Sequence, residues 1–231
     1  TGVQTCALPI FDGAGQPVGM VGASFPEADF TREKWLLAGS VGALLALSML
    51  ALSVSFLRGA RHITLLGRSV IPPRSRWPAI TEDDPIFATV SAIKAIERLG
   101  AQISTASVDV SDWAQVAAWL RDHIDSGGRP IRGVVHAAGS VDDQLLVNMS
   151  ESDFAAVLAP KVTGARVLSD ALEDHDLEFF VMFGSAGSTI ASPGQGNYAA
   201  ANAFLDAFAH FLRAQGLPAL TIGWGPWSVG M

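Results

Sequence analysis

Residues 177–223 read LEFFVMFGSAGSTIASPGQGNYAAANAFLDAFAHFLRAQGLPALTIG. The runs 177–183 and 219–223 have the length and apolar composition of strands buried on both faces. From about Asn197 to Ala214 the texture is helical, and Gly216 and Pro218 close it. A strand, a helix and a second strand in that order build a parallel sheet covered by helices.

Upstream the same alternation continues back to Gly59. Residues 131–136 form a strand. Ser152 opens a helix in which Pro160 removes one backbone bond and bends the axis just before Lys161. Ser111 caps an earlier helix, where Trp113, Val116, Ala117, Leu120 and Ile124 recur at helical spacing as a core-facing stripe. Further back stand a strand at 102–108, a helix at 87–99 stopped by Gly100, and a strand at 62–66. The proline-rich stretch 70–85 reads as an excursion loop too broken for structure. The expected fold class is α/β: an incomplete doubly wound, Rossmann-like parallel sheet without its first strand and glycine-rich loop.

In such a sheet the ligand lies beyond the carboxyl ends of the strands. Gly67, Arg68 and Ser69 end the first preserved strand, where an adenosine ribose would meet the sheet edge. An acidic residue there would bind a free 2′-hydroxyl, whereas Arg68 can pair with a 2′-phosphate, which favours NADPH over NADH. Asp109 and Val110 end the next strand, and His136, Ala137, Ala138 and Gly139 the one after. Small residues there let a flat cofactor lie against the backbone. Tyr198, the only tyrosine in the chain, and Asn202 stand four apart and share one helix face.

The run Phe183, Gly184, Ser185, Ala186, Gly187, the string SPGQGNYAAANAFLDAFAHFLRAQGLPAL, the earlier VVHAAG and APKVTGA, and the closing GWGPWSVGM resemble one family. It is the ketoreductase domain of modular type I polyketide synthases, within the short-chain dehydrogenase/reductase family. The resemblance covers residues 59–231. Ordinary members carry a lysine four residues after the catalytic tyrosine; this chain has Asn202 there and no lysine after Lys161. The polyketide subfamily exchanges those two positions, so the resemblance implies a catalytic set of Tyr198, Ser185, Lys161 and Asn202. A phenol ordinarily titrates near pH ~10, so an ammonium is needed nearby for acid–base work around neutrality. Lys161 would supply that field. Ser185 would hydrogen-bond the carbonyl oxygen while Tyr198 delivers a proton, and Asn202 would hold a water on the proton path. The resemblance also implies the partner, a β-ketoacyl thioester carried on an acyl carrier protein.

Val141, Asp142 and Asp143 resemble the Leu-Asp-Asp element of B-type members, and Ile190 stands where A-type members carry tryptophan; both imply a D-hydroxyl product. The family begins its fold with a strand and a Thr-Gly-Gly-type loop that holds the pyrophosphate, and closes a lid region after its catalytic helix. Neither the strand nor the loop is found before Gly59, and Met231 stops before the lid region, so the chain is expected to be inactive or barely active.

The first 58 residues have a different texture. Residues 1–10, TGVQTCALPI, resemble the conceptual translation of a common sequencing adapter and stand outside fold reasoning. Residues 11–34 resemble the end of an extracytoplasmic sensor domain. Gly13, Gly15, Gly19 and Gly22 do not make a dinucleotide loop, because residues 18–25 read as a strand following a turn rather than preceding one. Residues 35–57, WLLAGSVGALLALSMLALSVSFL, carry no charge and are long enough to cross a hydrocarbon core ~30 Å thick as a single transmembrane helix. Arg58, Arg61 and His62 favour the cytoplasm for the reductase part, against Arg32 and Lys34 on the other flank. A net charge of −7 excludes a nucleic-acid surface. One cysteine and five scattered histidines supply no metal-ligand spacing, so no metal is expected. Two organisations follow: a reductase fragment fused to a membrane-sensor end, or a membrane-anchored, non-catalytic sensing or binding protein with a reductase-like module.

Overall fold

The computed structural model describes residues 4–11, 17–25, 61–190 and 192–225. They divide into two units, Thr1–Gly39 and Ser40–Met231. In the first, β1 (Gln4–Phe11) and β2 (Pro17–Phe25) form an antiparallel hairpin. The strand expected at 18–25 is present, and its partner falls on the adapter-like segment. The expected membrane segment 35–57 lies outside the described residues. Among the described residues no helix is long and apolar enough to cross a membrane.

The second unit alternates strand and helix as the apolar spacing requires: β3 (His62–Gly67), α1 (Phe87–Arg98), β4 (Gln102–Ser107), α2 (Trp113–Asp125), β5 (Gly133–His136), α3 (Glu151–Ala171), β6 (Phe179–Ser185), α4 (Gly196–Ala214) and β7 (Ala219–Trp224). All strand pairs here are parallel. β3 and β4 pair from His62 with Gln102 to Gly67 with Ser107. β5, β6 and β7 form a second sheet in that order. Among the described residues β3 and β5 each pair with one strand only. The break falls where the doubly wound order places its central first strand.

Two apolar clusters hold the unit. The larger joins Val116 and Leu120 of α2, Ala165 and Leu168 of α3, Phe180 and Met182 of β6, and Leu205 and Leu212 of α4. The smaller lies over β3 and β4 and contains Trp77, Val90, Ile93, Ile96, Ala101 and Ile103. Trp77 corrects the expected structureless excursion. Residues Arg74–Ala79 form a 3-10 turn, Trp77 is buried, and its indole N–H donates to the Pro72 carbonyl at 2.8 Å. The Arg74 guanidinium lies 4.6 Å from the ring centroid, donates to the Ile103 carbonyl and pairs with Glu97. A stretch without periodicity can still be ordered by one large aromatic side chain that finds a core.

Three local expectations also change. Asp112, not Ser111, caps α2 by accepting from the amides of Ala114 and Gln115; Ser111 turns instead to Asp109. Ser150, not Ser152, caps α3, in a reciprocal capping box with Asp153. On α2 the buried stripe is Val116 and Leu120, with Trp119 packed beside them, while Trp113 and Ile124 are exposed. α3 runs on through Pro160. The carbonyl that proline leaves without an intrahelical donor, that of Ala156, accepts from the Ser140 hydroxyl at 3.3 Å.

Candidate active site

Lys161 projects from α3 and is buried. An ammonium so placed needs a partner, and its Nζ donates to the Phe183 carbonyl near the end of β6 at 2.7 Å. The same nitrogen lies 5.8 Å from the centroid of the Tyr198 ring. Burial pulls its pKa down to about 8, opposed by the carboxylate of Asp206. Gly139, beyond β5, makes room for this side chain: a Cβ there would meet Lys161 Cε at 3.1 Å.

Tyr198 sits in the first turn of α4 and is 9% exposed. Asn202, one turn on, donates from Nδ2 to the Tyr198 carbonyl at 2.7 Å. Its Oδ1 is buried and accepts no hydrogen bond among the described residues. Ser185 closes β6, and its hydroxyl accepts from the Gly187 amide at 3.1 Å, capping the short 3-10 turn Ala186–Ser188. Strand β6 and helices α3 and α4 thus bring Lys161, Tyr198 and Asn202 together, with Ser185 at the end of the strand that receives the lysine.

The cofactor-side residues divide between the two sheets. Arg68 and Ser69 are exposed beyond β3, where Ser107 Oγ donates to the Arg68 carbonyl at 3.1 Å. Asp109 accepts from the amide and hydroxyl of Ser111 at 2.9 and 2.6 Å. Those bonds hold its carboxyl below the usual range, and the Arg68 charge adds to the effect. Val110 is buried after β4. His136, at the end of β5, is buried as well; desolvation, with help from the Lys161 charge, pushes its pKa down to about 4, so the imidazole is neutral at pH 7. Val110 and His136 both pack on Gly164 of α3. Ala137, Ala138 and Gly139 follow, half-buried.

Asp142 and Asp143 are exposed but not merely solvated. The Asp142 carbonyl accepts from Asn197 Nδ2 at 2.9 Å, and the Asp143 carboxylate from Gln195 Nε2 at 3.0 and 3.2 Å. Ile190 is 78% exposed. Sequence reasoning passed over Asn197, Gln195 and Asp206. For Asp206 there was a signal, since 198, 202 and 206 recur every four residues along one helix face. For Asn197 and Gln195 there was none, because their partners lie about fifty residues away.

The KR domain family model matches residues 34–229, which takes in segment 35–57 as well as the reductase part. A 6-methylsalicylic acid synthase from Aspergillus terreus is 41% identical over 201 residues, 85% of this chain and 11% of that protein. The ketoreductase from the first module of phoslactomycin biosynthesis in Streptomyces sp. HK803 is 35% identical, with a TM-score of 0.65 over 79% of this chain and 39% of that one. An A-type ketoreductase from a modular polyketide synthase is 33% identical, with a TM-score of 0.66 over 80% of this chain and 36% of that one. The chain spans about a tenth of the length of the curated relatives it matches.

Proposed function

The chain belongs to the KR domain family, the ketoreductase domains of modular polyketide synthases within the short-chain dehydrogenase/reductase family, and on that premise we propose that its site reduces a β-ketoacyl thioester on an acyl carrier protein to the β-hydroxyacyl thioester with NADPH. The observation that carries the proposal is the buried Lys161 ammonium, anchored by Phe183 and standing 5.8 Å from the ring of the only tyrosine.

The exposed Arg68 guanidinium beyond β3 and the small residues 137–139 beyond β5 fit a 2′-phosphorylated nicotinamide dinucleotide laid across the strand ends. When bound, that cofactor supplies the hydride. The protein's own part is the proton and the charge. Ser185 donates to the substrate oxygen, and Tyr198 gives up its proton as negative charge grows there. Lys161 steadies the resulting phenolate through space, which a buried ammonium does more strongly than a hydrated one. The Asn202 Oδ1, an acceptor with no partner among the described residues, holds a water that returns the proton. Residues 141–143 set which face of the ketone is presented, and their likeness to the B-type element favours the D-hydroxyl product.

The decisive assay places residues 131–225 into an intact relative and follows NADPH loss with a β-ketoacyl thioester. The exchange enzyme should reduce it, and Tyr198→Phe should lower kcat by about 1,000-fold. No turnover, or turnover indifferent to Tyr198→Phe, overturns the assignment.

A further inference from the structure

We propose that Asn197 is a positioning residue that locks the loop 141–144 to the start of α4, so that the loop and Tyr198 hold one fixed relation; the proposal rests on the reductase reading above. Asn197 has no exposed surface. Burying a primary amide costs least when both its ends are bonded, and here each end is, unlike Asn202 with its unbonded Oδ1. Its Oδ1 accepts from the Tyr198 amide at 2.7 Å, an N–H that the first turn of a helix leaves without an intrahelical acceptor. Its Nδ2 donates to the Asp142 carbonyl at 2.9 Å. Oδ1 and Nδ2 belong to one rigid plane, so the two backbone groups they hold cannot shift independently. A residue serving only to satisfy the helix start would need the first bond alone.

Two further bonds run between the same segments. The Gln144 amide donates to the Gly194 carbonyl at 2.9 Å, and Gln195 Nε2 donates to Asp143. Gly194 has φ +85°, a conformation that side chains disfavour, and this turn carries the carbonyl to Gln144. Apolar burial does little to hold the loop otherwise: Val141 is 44% exposed and Leu145 57%. Hydrogen bonds to the 194–197 turn are therefore what order it. Because the loop carries Asp142 and Asp143 beside the catalytic helix, slack in it should weaken substrate binding more than it slows the chemical step.

The test compares backbone amide exchange at Gln144 in the purified chain with Asn197→Ala and Gln195→Ala, using Leu168 of α3 as the reference for global folding. Asn197→Ala should speed exchange at Gln144 about tenfold and leave Leu168 unchanged, and Gln195→Ala should speed it about threefold. In the exchange enzyme, Asn197→Ala should raise KM about tenfold while kcat falls by less. Unaltered exchange at Gln144 in folded Asn197→Ala overturns the proposal. Should that variant lose protection at Leu168, unaltered exchange in Gln195→Ala overturns it instead. Absence of turnover with intact exchange behaviour counts against the reductase reading alone.

Discussion

The half of the second unit built on β3, β4 and α1 encloses an apolar cluster around Trp77 and leaves Arg68 and Ser69 exposed at its strand ends. The half built on β5, β6, β7, α3 and α4 buries Lys161, His136, Asn197 and Asn202 inside its core. Lys161, Asn197 and Asn202 each donate to a main-chain carbonyl, while His136 Nε2 and Asn202 Oδ1 are buried with no partner among the described residues. The difference follows from the two tasks proposed. Recognition of a charged nucleotide needs a cation that solvent and ligand can reach, so that half can keep a purely apolar interior. Proton transfer needs a field in a dry place, so the other half builds its core around polar side chains.

The contrast predicts that the first half is vulnerable at one apolar side chain. Trp77→Ala removes a buried indole, its bond to Pro72 and the ring under Arg74. The expected loss is about 3–4 kcal/mol in denaturant unfolding, with amide exchange rising first in β3 and β4 rather than in β6. A loss below about 1 kcal/mol, or equal loosening of both halves, would mean that the excursion is an ornament on a single shared core.

Arg68→Ala should act in the opposite manner, on ligand and not on fold. NADPH binding should weaken about thirtyfold, roughly 2 kcal/mol for a lost charge-assisted pair, while NADH binding and the unfolding midpoint stay unchanged. Equal weakening of both cofactors in a titration would detach Arg68 from the 2′-phosphate.

Lys161 tests the other half through pH. Its ordinary value near 10.5 is pulled to about 8 by burial, with Asp206 resisting. The ammonium is therefore complete below about pH 8 and lost above it, so kcat of the exchange enzyme should fall about tenfold per unit beyond that point. Asp206→Asn, by removing the resisting charge, should move the break to lower pH. The linked stability has the matching sign: the buried charge opposes folding at low pH, and this opposition is relieved between about pH 8 and 10.5. A flat profile, or a break that moves upward in Asp206→Asn, would remove Lys161 from the mechanism.

Much of this could be read before any coordinates. Short apolar runs separated by amphipathic stretches located β3 to β7 and α1 to α4 to within a residue or two at most ends, because period and length are local properties. Lys161, Tyr198 and Asn202 were found as a set through family resemblance and the four-residue spacing of the last two. What escaped depends on tertiary partners. Nothing in the proline-rich run 70–85 shows that Trp77 has a core to enter. Nothing near Asn197 shows that Asp142 waits for its amide. The choice of Asp112 over Ser111 as a cap turned on which side chain already had a partner, since Ser111 is bonded to Asp109.

Gly164 is where the two halves meet, and it yields the smallest effect expected. A Cβ at this position of α3 would lie 3.0 Å from Val110 Cγ2, beyond β4, and 3.2 Å from His136 Cε1, at the end of β5. Both neighbours are buried side chains anchored on the sheets rather than loose ends on a surface, so neither yields freely. Crowding should cost about 2 kcal/mol, while alanine recovers about 1 kcal/mol of helix propensity, leaving Gly164→Ala roughly 1 kcal/mol less stable. Such a loss, accompanied by faster amide exchange at both Val110 and His136, would show α3 acting as a wedge shared by the two sheets. If Gly164→Ala instead stabilises the chain, propensity has outweighed crowding, and the halves are joined there more loosely than the contact distances imply.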